Sequence, residues 1–190
     1  SNAGDVNGDG YEDVIVGNPS GDGAAYVVYG NAQGLAVDLA GGTIAGNKGF
    51  KILGVAGSFL GTSVSSAGDI NGDGFADVLV GAVGLEFGQS GGTTSAEGAA
   101  YVVYGNAAGS TVDLANFQAS QGVVFVGQTG EALGRVSLAG DVNGDGLSDL
   151  LLGTINSGNL GSPGRAYVIY GQSSGMDHNF YVDPTLNPSQ

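Results

Sequence analysis

GDVNGDGYEDVIVG, from Gly4 to Gly17, occurs three times in this chain. It returns as GDINGDGFADVLVG from Gly68 to Gly81 and as GDVNGDGLSDLLLG from Gly140 to Gly153. The first aspartates of the copies, Asp5, Asp69 and Asp141, are 64 and then 72 residues apart. Self-similarity at such a period marks a repeat architecture and takes precedence over any local assignment. Working outward, GAAYVVYGNA stands unchanged at Gly23 to Ala32 and Gly98 to Ala107, with RAYVIYG from Arg165 to Gly171 as its third form. AVDLA (Ala36 to Ala40) is echoed by TVDLA (Thr111 to Ala115), and GFKILG (Gly49 to Gly54) by GVVFVG (Gly122 to Gly127). FLGTSVSSAGD and ALGRVSLAGD lead into the second and third copies.

Each unit offers about four short strands: the segment entering the loop, the apolar run leaving it, the Tyr-Val-Val-Tyr run, and the Phe/Val run after the VDLA segment. Val, Ile, Tyr and Phe dominate these runs, Gly and Asn punctuate them, and no amphipathic helical period of useful length is present. Four antiparallel strands per repeat is the pattern of β-propeller blades, so the expected fold class is all-β. The expected repeats are 1–57, 58–130 and 131–190, one propeller segment spanning 1–190. Three blades are fewer than the four to eight that usually close a propeller. Further blades of the same protein, or other copies of the chain, are therefore expected to complete it. Ser1-Asn2-Ala3 reads equally as a tag-removal scar or as native sequence, since Ser65-Ser66-Ala67 and Ser137-Leu138-Ala139 stand at the same place in the other units.

The repeated loop is Asp-x-Asn-x-Asp-Gly-x-x-Asp. A hard divalent cation wants six to eight oxygens, and calcium tolerates the irregular geometry that a loop supplies. Side chains at positions 1, 3 and 5 of a tight turn converge, and the glycine at position 6 (Gly10, Gly74, Gly146) permits the turn. The first candidate site is Asp5, Asn7, Asp9 and Asp13, with the backbone carbonyl of Tyr11. The second is Asp69, Asn71, Asp73 and Asp77 with the Phe75 carbonyl; the third is Asp141, Asn143, Asp145 and Asp149 with that of Leu147. Three Ca2+ sites are the expected cofactor complement. An EF-hand loop begins in the same way but needs a carboxylate at position 12 and flanking helices. Position 12 here is Val16, Val80 or Leu152, inside an apolar strand. An ordinary Asn-Gly hairpin turn is the plainer alternative. It requires no aspartates at positions 1, 5 and 9, and unpaired carboxylates so close together would repel.

The totals agree. Four Lys+Arg against eighteen Asp+Glu give a net charge of −14, and nine of those acids are the aspartates at positions 1, 5 and 9 of the three loops. That charge argues strongly against nucleic acid or an anionic membrane surface as a partner. With 190 residues and 42% hydrophobic content the chain can bury a core, and the 39 glycines recur at fixed repeat positions rather than in a flexible tract. There is no cysteine, hence no disulfide, and no apolar run is long enough for insertion into a membrane as a helix.

The order Leu-Gly…Ser-Val, Gly-Asp-Ile-Asn-Gly-Asp-Gly, Asp-Val-Leu-Val-Gly-Ala, Ala-Ala-Tyr-Val-Val-Tyr-Gly resembles the FG-GAP repeat. That repeat builds the seven-bladed propeller of integrin α subunits and also occurs in bacterial surface proteins and some secreted phospholipases. The resemblance covers nearly the whole chain. It implies that the aspartate-rich loop joins the first two strands of a blade and holds calcium, which transfers to the twelve side chains named above. The Gly-Ala-Pro element is altered to Gly17-Asn18-Pro19, Gly81-Ala82-Val83 and Gly153-Thr154-Ile155. Phe59-Leu60-Gly61 keeps its Phe, whereas the third unit has Ala132-Leu133-Gly134. The near-identity of the units looks more like a bacterial repeat protein than an animal integrin.

No catalytic constellation is evident, so the chain is not expected to be an enzyme. His178 has no neighbouring nucleophile, and Glu86, Glu97 and Glu131 read as solvated surface residues rather than an acid/base pair. The recurring tyrosines Tyr26, Tyr29, Tyr101, Tyr104, Tyr167 and Tyr170 read as packing residues. The long polar segments Gly84 to Gly98 and Asn156 to Gly164 are where a propeller would carry recognition, or are tolerated insertions. The expected function is a calcium-binding extracellular module for adhesion or for binding a protein or glycan. A non-catalytic propeller attached to a secreted hydrolase, or a structural repeat of a large surface protein, are the alternatives.

Overall fold

The computed structural model describes residues 1–34, 37–39, 41–84, 96–155, 164–173 and 179–181. Three sheets are present, one for each copy of the loop. The first unit forms β1 (Asn2–Gly4), β2 (Asp13–Asn18), β3 (Ala24–Val28) and β4 (Gly49–Leu53). The second forms β5 (Leu60–Gly68), β6 (Asp77–Ala82) and β7 (Ala99–Val103), then β8 (Val112–Asp113), a 3-10 turn at Leu114–Asn116, and β9 (Gly122–Val126). The third forms β10 (Leu133–Gly140), β11 (Asp149–Thr154) and β12 (Ala166–Ile169), followed by β13 (Asn179–Tyr181). Within each unit the strands meander antiparallel with one shared register: Val16 pairs with Tyr26, Val80 with Tyr101 and Leu152 with Tyr167. This is the all-β blade architecture that the repeat predicts.

One feature of the pairing is not in the repeat pattern read strand by strand. The VDLA segment of the second unit supplies β8, which adds in parallel to the outer edge of β4, Ile52 opposite Val112. At the next sheet β13 adds in parallel to β9 in the same way, Phe180 opposite Phe125. An edge strand with free amides and carbonyls is thus covered by chain from the following unit. Among the described residues the third sheet holds only β10, β11 and β12.

The sheets stack face to face. Ile15, Val27 and Ile52 of the first sheet join Val78, Val80 and Val124 of the second in one buried cluster. Leu79, Val102 and Phe125, on the opposite face of the second sheet, join Leu150 and Leu152 of the third. The middle strand β6 is consequently buried at every residue, while β2 and β11 alternate between buried and exposed positions. The period-2 geometry of a strand makes this the expected mark of a sheet covered on both faces. Glycines set the approach of neighbouring sheets: a Cβ on Gly17 would overlap the Gly61 carbonyl, and one on Gly81 the Gly134 carbonyl.

Candidate functional site

Each aspartate-rich loop joins the first two strands of its sheet, so the strand pair fixes both of its ends. Inside the loop the side chains and amides are wired identically in all three copies. In the first, Asp5 Oδ1 accepts from the Gly8 and Asp9 amides at 2.8 and 3.0 Å, and Asp5 Oδ2 from the Gly10 amide at 2.8 Å. Asn7 Oδ1 accepts from the Asp9 amide, Asn7 Nδ2 donates to Asp9 Oδ2, and Asp9 Oδ1 accepts from the Tyr11 amide. Asp69, Asn71 and Asp73 repeat every one of these bonds, as do Asp141, Asn143 and Asp145. The turn is tight enough to need φ near +90° at Gly10, Gly74 and Gly146, a region open to glycine at little cost.

The ninth-position aspartates stand apart from this group. Asp13, Asp77 and Asp149 open β2, β6 and β11 and are almost completely buried. Asp13 accepts from the Val6 and Gly30 amides, both at 2.8 Å. Asp77 accepts from Ile70 at 3.0 Å and Gly105 at 2.9 Å, and Asp149 from Val142 at 2.7 Å and Gly171 at 3.0 Å. Each carboxylate therefore ties the start of its loop to the glycine that follows the Tyr-x-x-Tyr run. This structural tie was missed in the sequence, although the glycine recurs there at every unit.

Burial pushes the Asp77 carboxyl up to about 7; the Gly105 and Ile70 amides pull the other way, and the Asp73 and Asp69 charges add to the rise. The Asp13 carboxyl is raised from the same causes, burial first. Burial also raises the Tyr29 and Tyr104 phenols, with the neighbouring loop aspartates adding to it. Among the described residues no Lys or Arg side chain pairs with a loop aspartate. Nor does any group of three or more His, Cys, Asp or Glu among those residues stand close enough to hold a metal ion. The structure thus brings positions 1, 3 and 5 together, places position 9 beneath them, and leaves no closed oxygen shell.

The position-7 residues have a second use. The Phe75 ring covers Gly8 of the preceding loop, and Leu147 lies against Gly72 in the same sense, so successive loops are packed together by their own apolar residue. Of the tyrosines read as packing residues, Tyr26, Tyr29 and Tyr101 are buried, while Tyr170 of the third sheet is exposed. Glu131 is not a solvated surface residue: it pairs with Arg165 and receives the Gln128 amide and the Tyr167 hydroxyl. Glu97 meets the Thr129 hydroxyl at 3.3 Å. Glu86, His178 and most of the two long polar segments lie outside the described residues.

The sequence matches the FG-GAP repeat at residues 2–28, 60–103 and 133–169, each match running from an entering strand to a Tyr-x-x-Tyr strand. The chain belongs to the FG-GAP repeat family. It is also similar to the phosphatidylinositol-glycan-specific phospholipase D of Rattus norvegicus, at 36% identity over 115 residues. That similarity covers 59% of this chain and 13% of the rat protein, so the chain corresponds to a small part of that relative. FG-GAP repeats are propeller-type modules and generally non-catalytic. Among the described residues no helix is long and apolar enough to cross a membrane.

Proposed function

We propose that this FG-GAP chain is a calcium-stabilised extracellular module for adhesion or for binding a protein or glycan, with one Ca2+ in each loop. Asp5, Asn7, Asp9 and Asp13, with the Tyr11 carbonyl, would hold the first ion. Asp69, Asn71, Asp73, Asp77 and the Phe75 carbonyl would hold the second, and Asp141, Asn143, Asp145, Asp149 and the Leu147 carbonyl the third. The observation that carries this reading is the threefold repetition of one set of oxygen-bearing side chains with, among the described residues, no Lys or Arg side chain paired to it. The donor chemistry suits a hard cation. A carboxylate offers about four acceptor directions, and the loop hydrogen bonds leave Asp5, Asp9 and Asp13 each with at least one to spare. A bound ion would supply positive charge where only negative charge is now concentrated.

The test is thermal unfolding in excess chelator, in millimolar calcium and in millimolar magnesium. A site filled at about 100 times its dissociation constant adds about 2.7 kcal/mol, and a chain of this size gains about 2–4 °C per kcal/mol. Three sites should raise the midpoint by more than about 10 °C in calcium and far less in magnesium. An unchanged midpoint would leave the loops as turns. The similarity to the rat phospholipase D favours a second reading, in which the module accompanies a hydrolase without contributing catalytic groups.

A further inference from the structure

Positions 3 and 4 of every loop are asparagine and glycine, and Asn7-Gly8, Asn71-Gly72 and Asn143-Gly144 are the only Asn-Gly pairs in the chain. The loop geometry asks for both residues. The three glycines have φ of +74°, +75° and +79°, a region that residues with a Cβ seldom enter. The asparagine gives one neighbouring aspartate an acceptor and a donor together. Asn7 Oδ1 accepts from the Asp9 amide and Asn7 Nδ2 donates to Asp9 Oδ2, both at 3.0 Å, and the other two loops repeat the pair. An ionised aspartate at position 3 has no proton for the second bond. All three glycines are exposed.

This pairing carries a chemical liability. The amide nitrogen after an asparagine is placed to attack the side-chain carboxamide, and glycine leaves that nitrogen unscreened by a Cβ. In the folded loop the nitrogen is held elsewhere: the Gly8 amide donates to Asp5 Oδ1 at 2.8 Å, and the Gly72 and Gly144 amides to Asp69 Oδ1 and Asp141 Oδ1 at 2.7 Å. These bonds lie at the surface, where local opening is cheap. We propose that Asn7, Asn71 and Asn143 are sites of spontaneous deamidation, each kept slow by the bond from the following glycine amide to the first aspartate of its loop. When that bond opens, the glycine nitrogen loses its proton to water and bonds to the asparagine Cγ. The Cγ–Nδ2 bond breaks, ammonia leaves, and a five-membered imide remains. Water then opens the imide at either carbonyl, without oxidation or reduction. One product is aspartate, which sets a carboxylate against Asp9 where a donor stood. The other is isoaspartate, whose extra main-chain methylene carries the glycine amide away from Asp5. No step involves a cation, so the inference is independent of the calcium reading.

The experiment is peptide mass spectrometry of the full chain aged in mildly alkaline, chelator-containing buffer, following the exchange of NH2 for OH at each asparagine. Circular dichroism checks that the chain stays folded. The three Asn-Gly sites should convert, and faster than Asn31 and Asn106, which are exposed but precede alanine. In concentrated urea the three should react alike and faster than in the folded chain. Asp5→Ala, which frees the Gly8 amide, should quicken Asn7 by about 2- to 10-fold, the worth of one exposed hydrogen bond, and leave Asn143 unchanged. Phe75→Ala, which uncovers Gly8, should act on Asn7 in the same direction. A folded chain that converts at none of the three sites overturns the inference. So do folded rates equal to those in urea, or an Asp5→Ala chain in which Asn7 reacts no faster than in the native one.

Discussion

Replacing Asp77 with alanine separates the two tasks that the loop combines. Asp77 is fully buried and accepts from two buried amides, Ile70 at 3.0 Å and Gly105 at 2.9 Å. Alanine removes both acceptors, and a buried donor without a partner costs about 1–3 kcal/mol. The expected loss is therefore about 2–6 kcal/mol, a large fraction of a domain's whole stability. Part of this is recovered because no buried carboxyl must then be desolvated, which places the expectation in the lower half of that range. Asp69→Ala is the contrasting variant. Its partners, the Gly72, Asp73 and Gly74 amides, lie at the exposed rim and can turn to water, so the loss in chelator should stay below about 1 kcal/mol. In calcium the order changes: Asp69→Ala should also forfeit the roughly 2.7 kcal/mol of one filled site. The assay is urea unfolding of native, Asp77→Ala and Asp69→Ala chains, each in chelator and in calcium. If Asp77→Ala costs less than about 1 kcal/mol in chelator, the buried tie is not what holds β6 to the end of β7. Equal losses for the two variants in chelator would refute the division of labour altogether.

Three further outcomes follow from the same geometry. The raised Asp77 carboxyl holds its proton in the folded state up to about 7 against an ordinary 3.8, so the unfolded chain binds fewer protons in between. In chelator, stability should fall as pH rises from about 4 to about 7 and level off above, a slope that Asp77→Asn should flatten; denaturant titrations at fixed pH values measure it. Gly81→Ala forces a methyl into the Gly134 carbonyl across the contact between sheets and should cost at least about 1–3 kcal/mol. Gly153→Ala, at the same repeat position in the outermost sheet, meets nothing nearer than the Arg135 Cβ at 3.3 Å and should stay within about 1 kcal/mol in the same unfolding assay. Calorimetric titration with calcium should saturate at three ions per chain, and Asp141→Ala should reduce that to two.

The sequence made the strands of the first two units and the residues of the loops readable because both are local. A period-2 apolar run bounded by glycine is a strand whatever it meets, and side chains at positions 1, 3 and 5 wire themselves to amides two to five residues away. What stayed hidden depends on contacts between distant segments. Asp13 looks like one more loop acid until Gly30, 17 residues on, donates to it; for Asp77 the partner is 28 residues away. The parallel addition of Val112–Asp113 to β4 is hidden for the same reason, since nothing in VDLA says which sheet edge it will cover. Glu131 read as a solvated acid because its partner Arg165, just before β12, is 34 residues away.

The buried aspartate also bears on why a repeat should keep three aspartates in each of three loops. If the ninth residue served only a cation, the loop would lose its anchorage whenever the ion left, and the sheet would open at its first hairpin. In this structure Asp13, Asp77 and Asp149 hold β2, β6 and β11 to the ends of their neighbouring strands through backbone amides alone. The rim residues at positions 1, 3 and 5 are meanwhile satisfied by amides that water could replace. A cation arriving at the rim would then act on a loop already closed at its base, with little backbone left to order on binding. The structural change on calcium binding should therefore be reversible and confined to the loops. In chelator the sheets should keep their strand content, and hydrogen exchange should quicken at the Gly8, Gly72 and Gly144 amides well before those of Val80 and Val102. Simultaneous quickening of the loop and strand amides would show instead that the base does not close without the ion.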